Sequence, residues 1–98
     1  MRIKKLSITA PGEIVPVMID FKNLVSSIDS VVVSATVREG VDAAPGDIIF
    51  SSSQIAGTQV RQLIEAGLDD TVYLIRMDIA SGDLRFSGAV YLPVQELV

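Results

Sequence analysis

Cysteine, histidine and tryptophan are absent from this 98-residue chain. Without cysteine there is no disulfide framework, and a reducing compartment is the natural setting for a domain this small. Without histidine or cysteine, Ser-His-Asp and Cys-His nucleophile arrangements, the usual zinc sites and haem ligation have no residues to build on. Ser51-Ser52-Ser53 would need a lysine base, and no local pattern supplies one. Gly40, Gly46 and Gly57 lie far apart with no Gly-Lys-Ser/Thr behind them, so no phosphate-cradling loop is present. Paired carboxylates for glycoside hydrolysis need a sugar cleft, which a short chain without tryptophan is poorly equipped to line. The expectation is a chain with no catalytic residues, no metal site and no cofactor.

Positive charge is also sparse. The net charge is −4, and the bases are scattered: Arg2, Lys4 and Lys5 open the chain, and Lys22, Arg38, Arg61, Arg76 and Arg85 stand alone. A phosphate backbone calls for a basic surface, so nucleic acid is not an expected partner. The basic start Met-Arg-Ile-Lys-Lys is followed by only Leu6 to Ala10 before Pro11-Gly12, too short for the apolar region of a signal peptide. The expectation is that the chain is used from Met1. No apolar run approaches a membrane span, so no membrane partner is expected either. Acidic residues group in two places, Glu39, Asp42 and Asp47 in one and Asp69-Asp70 in another. Such loops offer oxygen ligands for calcium, but they lack EF-hand spacing and read first as solvated loops.

What is present is apolar. Hydrophobic residues are 49% and charged residues 20% of the chain, which excludes a disordered tail. The length fits one domain, residues 1–98, with one core. Turn residues recur about every ten positions, at Pro11-Gly12, Lys22-Asn23, Ser26 to Ser30, Ala44 to Asp47, Gly57, Gly67 with Asp69-Asp70, and Ser81-Gly82-Asp83. That spacing predicts an all-β sandwich or barrel. Val15, Val17, Ile19 and Phe21 alternate on one face, and Pro16 confines that run to an edge or a bulge. Val31, Val33, Ala35 and Val37 face one way, and Val32, Ser34, Thr36 and Arg38 the other. Left unpaired, the Val31–Val37 run is prone to aggregate. Asp47 to Ser51 reads as a short strand. Gln59 to Ala66 reads either as a strand interrupted by Gln62 or as a helical turn ended by Gly67, and strand neighbours on both sides favour the strand.

The last third predicts a hairpin and its register. Thr71 to Ala80 and Leu84 to Pro93 flank Gly82-Asp83, which suits a two-residue type II′ turn with Gly where φ must be positive. Counting back from Ser81 opposite Leu84 pairs Ile79 with Phe86, Met77 with Gly88, Ile75 with Val90 and Tyr73 with Leu92, all apolar or small. A one-residue slip would set Ile79 against Arg85 and turn the apolar set to solvent. The other face pairs Asp78 with Ser87, Arg76 with Ala89 and Leu74 with Tyr91. Val72, Leu74 and Tyr91 then form an outward apolar group, either covered by a neighbouring segment or kept as a subunit interface, with Ile3 and Leu6 as candidate additions.

Asp69-Asp70-Thr71-Val72-Tyr73-Leu74-Ile75 leaves a turn and places a tyrosine two residues before a core aliphatic. This resembles the tyrosine corner of immunoglobulin-like domains, built here from Asp69, Tyr73 and Ile75, with Ile75 where the core cysteine would stand. The resemblance implies an immunoglobulin-like β-sandwich of about seven antiparallel strands, with the C-terminal hairpin as its F–G pair. From about Ser30 to Val94 the chain is similar to a group of small immunoglobulin-like proteins of tailed bacteriophages and prophages, described as virion structural components. The stretches that carry this are Val33 to Val37, Pro45 to Ser51, Gly57 to Val60, Gly67, Thr71 to Ile75, Ser81 to Asp83 and Leu92 to Val94. The resemblance implies a virion protein made in the bacterial cytoplasm, a homo-oligomer that contacts other virion proteins in a head decoration, head–tail or tail/fibre attachment role. Met1 to Asp20 has no match in that group. A carbohydrate- or cell-surface-binding module, and an accessory domain that takes a peptide by strand addition, are the alternatives.

Overall fold

Alternation of apolar and polar residues produces seven strands: β1 (Arg2–Lys5), β2 (Ile14–Asp20), β3 (Ser30–Glu39), β4 (Gln54–Ala56), β5 (Gln59–Glu65), β6 (Thr71–Ser81) and β7 (Leu84–Val94). They come from a computed structural model that describes residues 2–6 and 8–96, with residues 2–5 described by backbone alone. The strands form a four-stranded sheet in the order β1-β7-β6-β3 and a three-stranded sheet in the order β2-β5-β4. One apolar cluster joins the two. Val17, Val60 and Ile64 come from the smaller sheet, Ala35, Ile75, Met77, Ile79, Val90, Leu92 and Val94 from the larger, and Phe21, Val25, Ile28 and Ile48 from the connections. Two sheets burying one core make an all-β arrangement compatible with a β-sandwich.

The hairpin register is as the sequence predicts, from Ser81 opposite Leu84 through Ile79–Phe86, Met77–Gly88 and Ile75–Val90 to Tyr73–Leu92. Gly82 has φ +56°, and Asp83 is not among the residues of positive φ, which is the sign pattern of a type II′ turn. Gln59–Glu65 is a strand, paired with β2 and β4. Gln62 does not break its alternation. It turns inward between Val60 and Ile64, and its amide donates to the Ser51 carbonyl at 2.6 Å and the Leu63 carbonyl at 2.9 Å. The carbonyls make burial of that amide tolerable.

Two expectations are corrected. Asp47 to Ser51 is not a strand. Pro45–Ile48 forms a 3₁₀ turn, and only Ile49 makes an isolated bridge, to Ile64. Proline's fixed φ suits the first position of a helical turn, and three consecutive apolar residues cannot all face one side of a strand. Nor is every pairing antiparallel. β1 runs parallel to β7, with Ile3 beside Ala89, and Thr9 adds an isolated parallel bridge to Val94, while the other strand pairs are antiparallel.

The first strand therefore extends the larger sheet and leaves β2 at an edge of the smaller one. The Phe21 N–H donates to the Thr58 carbonyl at 2.9 Å. By alternation, Pro16 turns its hydrogen-free nitrogen away from β5, where no partner needs it. β3 is the opposite edge of the larger sheet, so the Val31–Val37 run is paired on one side only, with β6.

Candidate interaction face

The outer face of the larger sheet collects the side chains that the inner face excludes. The register puts Leu74 opposite Tyr91 and Val72 opposite Pro93, with Thr36 on the other flank of Leu74. Val72, Leu74 and Tyr91 are each half-buried, so they share one face and keep surface open to solvent. The Arg38 guanidinium lies 5.5 Å from the centre of the Tyr91 ring. That is within range for cation–π attraction, and it places one positive charge beside the apolar group. Ile3 pairs with Ala89 through its backbone, and its side chain lies outside the described atoms. Leu6 does not join the outward group. It packs against the buried core just beyond β1.

Toward the hairpin turn the same face becomes polar. Arg76 Nε reaches Asp78 Oδ1 at 2.8 Å and its Nη2 donates to Ser87 Oγ at 3.2 Å, while the Ser87 hydroxyl donates to Asp78. Burial pushes the Asp78 carboxyl up, but the hydrogen bonds from Ser87 and Arg76 outweigh it and the net displacement is downward.

The second cluster sits where β5 turns into β6. The Tyr73 ring is fully buried. Its hydroxyl accepts the Leu68 N–H at 2.9 Å and donates to Asp42 Oδ2 at 2.6 Å. Asp69 Oδ1 accepts the N–H of Asp70 at 2.9 Å and of Glu96 at 2.7 Å, which ties the turn to the segment after β7. Ile75 is fully buried two residues on. Gly67 leaves room for the tyrosine: a Cβ there would overlap the hydroxyl and stand 2.8 Å from Cζ. The Tyr73 hydrogen bond, helped by the Ala44 N–H, holds the Asp42 carboxyl below its ordinary range. Burial, then Asp42, pushes the Tyr73 hydroxyl up. Sequence reasoning placed Asp42 in a solvated acidic loop and missed this role. Its partner is 31 residues away, and no local pattern marks it.

Among the described residues no three acidic side chains converge as a metal site would require. Asp42, Asp47 and Glu65 line one shallow groove with Gly67 and Leu68, and Asp42 is already bonded to Tyr73. No helix among the described residues is long and apolar enough to cross a membrane. No protein-family model, curated protein or solved structure matches the chain.

Proposed function

We propose that this chain is an immunoglobulin-like module that builds a bacteriophage virion through protein–protein contacts and carries out no catalysis. With strands lettered in chain order, the two sheets contain the sets B-E-D and C-F-G of immunoglobulin domains, and the first strand lies on G instead of B. A tyrosine at the start of the sixth strand, bonded to backbone five residues upstream, matches the tyrosine corner of that fold. The phage assignment is carried by the resemblance of Ser30 to Val94, and the assembly role by the outer sheet face.

The observation that carries the role is the meeting of Val72, Leu74 and Tyr91 on that face, half open to solvent and flanked by Arg38. Grouped apolar side chains with a polar rim are what a protein contact buries. Repetition in a particle would add avidity to a modest contact. Leu74→Glu and Tyr91→Glu place a charge on the face without touching the core. Both variants are expected to keep the wild-type circular dichroism spectrum and to fall out of purified virions, counted by mass spectrometry of the particles. Incorporation at the wild-type copy number would exclude this face as the contact.

A further inference from the structure

The two long free edges of this molecule are treated differently, and the difference points to self-association. The β2 edge carries Pro16, whose missing N–H faces outward and spoils the ladder a partner would need. The β3 edge has no such device. From Val31 to Val37 it contains no proline, no glycine and no charge, and its register with β6 is unbroken until the irregularity between Val37 and Glu39. At ten residues it is about twice the usual strand length.

Which groups the edge offers follows from the hydrogen bonds on the far side of the sheet. The Leu6 N–H donates to the Tyr91 carbonyl at 2.8 Å and the Thr9 N–H to the Pro93 carbonyl at 3.0 Å. Tyr91 and Pro93 therefore turn their backbone groups toward the β1 side. Leu74, opposite Tyr91, must then bond the other way, to Thr36 of β3. Alternation along β3 directs the N–H and C=O groups of Val31, Val33, Ala35 and Val37 outward. The Pro45–Ile48 turn packs near β3, but no backbone hydrogen bond links it to the strand.

We infer that two copies of this chain pair through β3, antiparallel about a two-fold axis at Ser34, and join their four-stranded sheets into one. The sequence is complementary to itself in that register. Val31 meets Val37 and Val33 meets Ala35, so all four outward-directed residues of each copy fall in hydrogen-bonded pairs. On the outer face Val32 meets Thr36, a β-branched pair, and covers a valine that is 67% exposed in the single chain. The regular part of the edge ends at the irregularity between Val37 and Glu39, and from Val31 to Val37 neither copy brings a charge to the pairing. This goes beyond the assembly reading and does not rest on it, because the edge pairs copies whatever the outer face binds.

The test is sedimentation of the whole chain together with residue-resolved amide exchange. The wild type is expected to be a dimer whose Val31, Val33, Ala35 and Val37 amides gain protection as concentration rises. Of the backbone groups Val33→Pro removes only an outward N–H, as Pro16 does on β2, and so deletes two donors per dimer, although it also takes away a half-buried valine side chain. Its dissociation constant should rise at least about tenfold. Val32→Lys, which changes no backbone group, should also weaken the dimer and serves if the proline variant fails to fold. Leu74→Glu, on the outer face, should leave the dimer intact. A wild type that stays monomeric at millimolar concentration overturns the inference. So does a dimer whose four edge amides exchange freely, or edge protection that appears only when a different protein or peptide is added.

Discussion

At the residue scale Gly67 is the glycine with the least room for a side chain, because the Tyr73 hydroxyl lies against it. Tyr73→Phe leaves the Leu68 N–H without its acceptor and takes the Tyr73 donor from Asp42 Oδ2, while the Ala44 N–H still bonds Oδ1. The expected loss of stability is about 1–3 kcal/mol. Gly67→Ala drives a methyl into the hydroxyl, at a cost of about 1–3 kcal/mol from overpacking. The double variant should lose less than the two single losses added, because removing the hydroxyl removes most of the overlap. Urea midpoints of the four proteins measure this, and additivity within about 0.5 kcal/mol would refute the contact. Tyr73 could be found in the sequence because its signature is local, an acidic turn followed by alternation. Asp42 and the inward Gln62 could not. Their partners, the Tyr73 hydroxyl and the Ser51 carbonyl, arrive only when distant segments fold against them.

At the element scale the C-terminal hairpin was legible in full, since a two-residue turn and a period of two leave one register that buries the apolar set. Its turn makes a direct prediction. Nothing lies within 4 Å of a Cβ built on Gly82, so substitution there costs only the strain of φ +56°. Gly82→Ala should destabilise by about 1 kcal/mol, and Gly82→Asn by less, because asparagine tolerates the left-handed region better. Thermal unfolding of the two variants checks this, and equal losses would contradict it. The 3₁₀ turn at Pro45–Ile48 was misread because consecutive apolar residues carry no period. Pro16 correctly marked β2 as an edge, since a missing N–H excludes the middle of a sheet. The Val31–Val37 run held no such mark, and its place at an edge depends on where the chain goes after Glu39.

At the scale of the whole molecule, stability should respond to pH only at the extremes. Asp20, Asp42 and Asp78 are each held below 3.8, Asp20 chiefly by the Thr58 hydroxyl, Asp42 by Tyr73, and Asp78 by Ser87 and Arg76 against its burial. A lowered carboxyl stabilises above its unfolded pKa, and that contribution is lost as pH falls through the folded value. Tyr73 is raised above 10.0, so its contribution is complete below that pH and is lost as pH rises through the folded value. With neither histidine nor cysteine in the chain, melting temperature should be flat from about pH 5 to 9 and fall on either side. Asp42→Asn should soften the acid fall, and a step near pH 6.5 would contradict the scheme. Composition and periodicity by themselves determined an all-β domain, its inward faces and one hairpin register, because these follow from the covalent order of neighbouring residues. Only the tertiary structure decided that β1 lies on β7, that Asp42 bonds Tyr73 and that β3 stands at an edge. Each of these depends on which distant segments come to lie side by side, and no local pattern of residues records that choice.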